Sequence, residues 1–347
     1  MIDGKQSARR ARLTYVSDEA GGIRRRRAGT GFVYLDRRGH RIGSATTLAP
    51  IRALAVPPAW TDVWICPSAS GHLQATGRDA RGRKQYRYHE EWRSLRDRMK
   101  YAHVLRLAEH LPAIRARVQR DLGRRGLARD TVIAAVVRLL DLSLIRVGND
   151  EYVRENGSFG LTTLRERHVE VRGDSIRFRF RGKSGARHSI EVSDAAAARV
   201  IRRCRQLPGT AIFRYLDEAG EPRSVDSDAV NDYLRRITGE DFTAKDFRTW
   251  HGTVLAAWAL KDVGPFETKG QSRKRVAQAV EEVAGRLGNT PAVCRACYIH
   301  PELVAAYLDG SLATLRKGPK NGNGAGLSRE EAGVLRFLQR RRSRRST

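Results

Sequence analysis

The stretch that most restricts how this chain can fold is Thr131–Ile145, TVIAAVVRLLDLSLI. Val132, Ala135, Val136, Leu139, Leu140 and Leu142 recur at helical spacing, and Asp130 stands where an N-cap is expected. A helix this apolar has to be surrounded by other elements, so it predicts the core of a sizeable domain. It is too short to cross a bilayer, and no other apolar run is longer. Arg146 closes it. An arginine at the end of a buried helix serves either the C-terminal dipole or a site.

At 347 residues the chain has room for two domains. Residues 1–100 read as a small, mainly antiparallel β domain. Gly31-Phe32-Val33-Tyr34-Leu35 and Val63-Trp64-Ile65-Cys66 are short and rich in β-branched and aromatic residues, and Pro57-Pro58 breaks any helix beginning near Ile51. Gly71–His89 predicts a hairpin with a basic, Gly-containing turn. On its second strand Gln85 and Arg87 face one side, Tyr86 and Tyr88 the other. Arg83 and Lys84 are suited to phosphates and Gln85 to base edges. The alternative is a solvated basic hairpin with two core tyrosines.

Residues 101–347 read as a larger, mainly helical domain. A helical pattern over Trp92–Leu111 leads into it. A three-stranded meander is expected at about His168–Arg172, Ser175–Arg181 and His188–Val192, with Gly182-Lys183-Ser184-Gly185 as its second turn. Lys183 then sits at a hairpin tip, a place where a lysine is solvated or enters a narrow groove. Helices are expected at Asp194–Leu207, Ser227–Thr238, around Arg248–Leu260, and at Ser272–Leu287. Residues 316–347 read as a Gly/Asn/Lys linker (Arg316–Gly326) and a final helix from Ser328. That helix ends in a frayed, phosphate-seeking run, Arg340–Arg345.

Gly288-Asn289 interrupts the helix that ends at Leu287, and Pro291 suits the first turn of the next. Tyr298 falls about two turns on. A helical tyrosine is ordinarily a packing residue. Here three isolated basic residues, Arg146, Lys183 and Arg248, stand upstream in contexts that packing does not explain. Together the four read as a site that attacks a phosphodiester with a tyrosine.

The formal charge is +28 and is spread along the chain, which points to a polyanion, most simply nucleic acid. Four cysteines and no signal peptide indicate a reducing compartment, hence a cytoplasmic, nucleoid-associated protein. Cys294-x-x-Cys297 followed by His300 is half a metal site, without a second pair to complete it. No nucleotide-binding loop is present and no acidic cluster looks built for magnesium. No cofactor and no metal are expected, so the chemistry falls to an organic nucleophile with cationic clamps.

The set Arg146, Lys183, Lys245-x-x-Arg248 and Tyr298 resembles the type IB DNA topoisomerases, in the small poxvirus-like form found in bacteria. The resemblance runs from about Gly31 to Leu312. It includes the Gly71–His89 block, Arg146-Val-Gly-x-x-x-Tyr152, the Gly182-Lys183 tip, Asp246-Phe-Arg248-Thr and Gly288-Asn-Thr-Pro…Tyr298. It implies a two-domain α+β clamp around double-stranded DNA, worked by a monomer without nucleotide cofactor. Tyr298 would be the nucleophile and Lys183 the proton donor, with Arg146, Arg248 and Asn289 on the phosphate. Arg83, Lys84, Gln85, Tyr86, Tyr88 and Tyr152 would touch DNA. Asn289 departs from the family's usual histidine; it donates a hydrogen bond but brings no charge. Tyrosine recombinases share the Arg–Lys–Arg–Tyr chemistry. They usually place histidine three residues before the second arginine, where this chain has Lys245, and their N-terminal domain is helical. A non-catalytic DNA-binding protein would account for the charge but not for the residue set.

Overall fold

The computed structural model describes residues 4–319 and 326–346, the side chains of 345 and 346 excepted. Two compact units divide the chain, Met1–Ala102 and His103–Thr347. Both mix helices with antiparallel sheets.

In the first unit, helix α1 (Gly4–Arg10) precedes strands β1 (Ile23–Ala28) and β2 (Gly31–Leu35), helix α2 (Ala45–Ala53), and strands β3 (Thr61–Ile65), β4 (Leu73–Arg78) and β5 (Lys84–Tyr88). The strands form one antiparallel sheet in the order β2-β1-β3-β4-β5. Ile23, Ile51, Val63, Ile65 and Ala75 make its core. The reading of this region as strands and turns misses α2, which carries Pro50 inside it and ends before Pro57.

Helix α3 (Glu90–Leu122) carries the chain into the second unit, eleven residues beyond the expected Leu111 and past Pro112. Helix α4 (Arg129–Ser143) is the expected apolar helix, and eleven of its residues are buried. Two details differ. Ala128, not Asp130, is the N-cap, because both Asp130 oxygens are taken by the Arg236 guanidinium. The helix also stops at Ser143: Leu144 turns left-handed at φ 58°, so Arg146 lies in the extended segment beyond. A short helix, α5 (Asp150–Asn156), follows, capped by Asn149.

The meander β6 (Val169–Arg172), β7 (Ser175–Arg181) and β8 (Arg187–Ser193) pairs antiparallel in sequence order. Ile176, Phe178 and Phe180 alternate into the core on β7. Then come α6 (Ala195–Cys204), the small hairpin β9 (Arg214–Leu216) and β10 (Pro222–Ser224), α7 (Ser227–Thr238), α8 (Ala244–Asp262), α9 (Lys269–Leu287), α10 (Pro291–Cys297), α11 (Pro301–Leu308) and α12 (Arg329–Ser346).

Beside α4, half-buried Arg115 joins Asp141 and Glu331, each at 2.8 Å, and His251 Nε2 lies 3.0 Å from Asp141. Asp141, His251 and Glu331 have the ligand spacing of a cation site, which the sequence did not disclose. The Arg115 guanidinium is bonded to both carboxylates and supplies the positive charge that would otherwise invite a metal. Burial works against the charged form of Asp141, but His251 and Arg115 outweigh it and hold the carboxyl well below the usual range.

Residues 320–325 of the expected linker lie outside the described residues. Of the expected frayed tail, Arg341 is instead tied down, to Glu302 at 3.3 Å and Asp309 at 2.9 Å.

Candidate active site

Four segments of the second unit converge. Helix α9 ends at Gly288, whose φ of 59° lets its N–H and that of Asn289 turn back onto the last turn; Asn289 N donates to Ala284 O at 3.0 Å. Thr290 caps α10 and Pro291 opens it. Tyr298 ends that helix, with its N–H on Cys294 O at 2.9 Å. It is 9% exposed. Helix α8 packs directly against it. A Cβ on Gly252 would come within 2.9 Å of Tyr298 Cβ and O, and Thr253 Oγ1 donates to Tyr298 O at 3.2 Å.

Arg248, also on α8, is buried with its guanidinium 5.2 Å from the centre of the Tyr298 ring. Its Nη2 donates to Leu287 O at 2.7 Å and its Nη1 to Leu144 O. Those carbonyls belong to the C-terminal ends of α9 and α4. The helix-end role considered for Arg146 therefore falls to Arg248. Burial, then the nearby Arg146 charge, push its pKa down to about 10, while the Tyr298 phenol acts the other way. At neutral pH the group stays charged.

Arg146 is fixed through its backbone: its carbonyl accepts from Leu161 N at 2.9 Å, and the next carbonyl, of Val147, accepts from Thr162 N at 2.7 Å. Its guanidinium donates to Asn289 Oδ1. The Arg248 Nε and Asn289 Nδ2 donors are buried without an acceptor among the described residues. Such donors normally find a partner. Neither arginine has an acidic partner among the described residues. The structure thus sets Arg248 beside the Tyr298 phenol, with Arg146 near Arg248 and bonded to Asn289, a cationic nest able to receive an anion.

Lys183 stands apart from that nest. It is exposed on a tight turn closed by Gly182 N on Ala186 O at 2.7 Å, with Ser184 left-handed at φ 61°. Its Nζ lies 5.6 Å over the ring of Tyr152, which is 49% exposed on α5.

In the first unit, Tyr86 and Tyr88 are 47% and 36% exposed and stack at 5.8 Å, so the core-tyrosine alternative does not hold. Arg83 pairs with Asp79 at 2.7 Å, Lys84 with Asp18 at 2.7 Å, and Gln85 Nε2 donates to Asp79 at 3.0 Å. Cys294 and Cys297 are not joined in a disulfide, and burial pushes Cys294 up to about 11, away from thiolate chemistry. Sequence reasoning missed Gly252 and Thr253, which hold the Tyr298 backbone, and His188, which lies beside both arginines. The only sequence signal for them was their place one turn after Arg248 and on the strand returning from Lys183.

Residues 89–316 match the family described as eukaryotic DNA topoisomerase I, catalytic core, and residues 31–79 match bacterial DNA topoisomerase IB, N-terminal domain. Similar proteins include DNA topoisomerase 1B of Acanthamoeba polyphaga mimivirus, 29% identical over 80% of this chain and 85% of that one. DNA topoisomerase 1B of Vaccinia virus (strain Copenhagen) is 23% identical over 75% and 81% respectively. DNA topoisomerase 1 of Daucus carota is 28% identical over 45% of this chain and 19% of its own length.

Proposed function

The chain belongs to the type IB DNA topoisomerases, in their small poxvirus-like form, a DNA-binding family of isomerases that relax DNA by tyrosine transesterification; we propose that it does so without ATP or metal, through a 3′-phosphotyrosyl bond to Tyr298. The observation that carries this reading is Arg248 lying beside the Tyr298 ring, with Arg146 near Arg248 and bonded to Asn289, and neither arginine holding an acidic partner among the described residues.

Tyr298 attacks the phosphorus of one strand and the 5′-oxygen leaves. Negative charge gathers on the non-bridging oxygens, where Arg146, the open Nε of Arg248 and the open Nδ2 of Asn289 meet it. Asn289 supplies a hydrogen bond where a histidine would also bring charge. Lys183 protonates the leaving 5′-oxygen, swinging away from Tyr152 to do so. The phenol gives up a proton as that oxygen gains one. One phosphodiester replaces another, so no external energy enters. The cut strand rotates about the intact one, and the 5′-hydroxyl then attacks back.

The two units are the arms of a clamp on double-stranded DNA, acting as a monomer. On the first, Tyr86 and Tyr88 offer aromatic faces, and Arg83, Lys84 and Gln85 exchange their aspartate partners for phosphates and base edges. No helix among the described residues is long and apolar enough to cross a membrane.

Supercoiled plasmid, treated with the purified protein in excess EDTA without ATP, is expected to relax whichever sign of supercoil it carries. A requirement for added magnesium, or an unchanged plasmid, would remove the proposal.

A further inference from the structure

The cleavage scheme above leaves one ring in the site unused. His188 is half-buried on β8, five residues after Lys183. It stacks on Phe180, with centroids 5.0 Å apart and planes 23° from parallel. A Cβ added to Gly182 would lie 2.6 Å from its Cδ2 and Nε2, and one added to Gly288 would lie 2.3 Å from its Cε1. One edge of the ring therefore touches the backbone immediately before Lys183, and another the backbone immediately before Asn289. Glycine at both positions permits this approach. No side chain could be added at either without moving the ring.

Packing alone does not explain a histidine here. A phenyl or aliphatic group would fill the space against Phe180 at no polar cost. The imidazole has no hydrogen-bond partner among the described residues. It lines the same recess as Arg146, Arg248 and Arg286. Burial, then Arg146 and Arg248, hold its pKa below the usual histidine value, so the neutral ring adds no third charge beside the guanidinia at neutral pH.

We propose that His188 is a positioning residue for DNA cleavage, a wedge that fixes the Gly182–Lys183 turn against the Gly288–Asn289 turn. It thereby sets the distance from the proton donor to the groups that hold the phosphate. The inference rests on the roles proposed for Lys183 and Asn289. Lys183 lies at an exposed tip and has to travel from Tyr152 to the leaving oxygen, and the ring supports the base of that tip. A misplacement of about 1 Å in such an arrangement costs about 10²-fold in rate.

The test is single-turnover cleavage of a duplex that traps the covalent adduct, with the scissile bridging 5′ atom either oxygen or sulfur. A sulfur leaving group needs no proton, so it removes the part of any defect that comes from a misplaced Lys183. His188→Ala is expected to lose about 10²-fold on the oxygen duplex, to recover most of it on sulfur, and to bind DNA as the wild type does. His188→Phe, which keeps a ring of similar shape, should retain most of the rate. Gly182 has an ordinary φ of −97°, so Gly182→Ala adds no backbone strain and acts only by driving its Cβ into the ring. Its defect should be of the same kind, and Gly182→Ala/His188→Ala should not multiply the two losses.

Wild-type cleavage by His188→Ala, or an equal loss on both duplexes, overturns the inference. So does a Phe variant as slow as the Ala variant, since a ring of that shape would then not suffice. If His188→Ala does not fold, Gly182→Ala makes the same two-substrate comparison with the ring in place. The wild-type control separates the levels: no adduct from wild type removes the proposed function itself, whereas cleaving wild type beside an unaffected His188→Ala removes only the wedge.

Discussion

Cations on the β4–β5 hairpin and cations around Tyr298 are both suited to phosphate, yet they are held in opposite ways. Arg83 and Lys84 are exposed and already neutralised, by Asp79 and Asp18. Arg83 and Lys84 lower the pKa of those carboxyls by direct hydrogen bonding. Among the described residues, Arg146 and Arg248 hydrogen-bond to neutral oxygens, including those of Asn289, Leu144 and Leu287, and have no acidic partner. Exposed pairs are worth little and exchange readily for a phosphate. Two guanidinia near one another with no counter-charge gain far more from an arriving anion, most of all one whose charge grows as the reaction proceeds. On the function proposed, the hairpin serves affinity and the nest catalysis. Substitutions should therefore separate along that line.

The largest separation comes from the nucleophile. Tyr298→Phe should bind DNA almost normally and form no adduct, because only the attacking oxygen is lost; residual plasmid relaxation by the purified variant would show that another residue attacks. Next is Lys183. Its alanine variant should cleave ordinary DNA about 10²–10⁴-fold more slowly and recover strongly when the bridging 5′-oxygen is sulfur. An identical deficit on both strands would make it a phosphate contact only.

Arg146→Ala and Arg248→Ala should each lose about 10²–10³-fold in the cleavage rate constant and recover less on sulfur, as charge stabilisation requires. Arg248→Ala also leaves two helix-end carbonyls bare, so its melting temperature should fall while that of Arg146→Ala moves less. The smallest effects belong to the hairpin. Arg83→Ala and Lys84→Ala should weaken DNA binding, each reducing the log–log salt slope by about 0.9, with the cleavage rate of bound complex unchanged. A hairpin variant that slows cleavage of bound DNA would blur the comparison and assign the hairpin a part in the chemistry.

Much of the site was legible because local rules govern it. Gly288 and Pro291 punctuate the chain on either side of Asn289, and the structure turns there as helix-capping chemistry requires. The Gly182-Lys183-Ser184-Gly185 turn marked the end of the second strand of the meander and put Lys183 at its tip, and the structure has the strand and the turn there. Long-range partners were not legible. Asp130 has the composition of a cap, but Arg236, 106 residues away, takes its carboxylate. Arg146 follows the apolar helix, yet the left-handed turn at Leu144 carries it past the helix end and leaves that place to Arg248. Tyr86 and Tyr88 alternate as core residues would, but both are exposed and stack on each other. His188 is one half-buried residue on an alternating strand, and only the approach of Gly182 and Gly288 gives it meaning.

The central claim is that Tyr298 carries the DNA, and mapping the adduct tests it most directly. The protein is reacted with a duplex that traps the covalent complex, digested, and the modified peptide sequenced by mass spectrometry. The expected product is a nucleotide joined through its 3′-phosphate to the Tyr298 oxygen, formed equally well in EDTA. A nucleotide on Tyr152, on Tyr307 or on any other residue, or one joined through a 5′-phosphate, would contradict it.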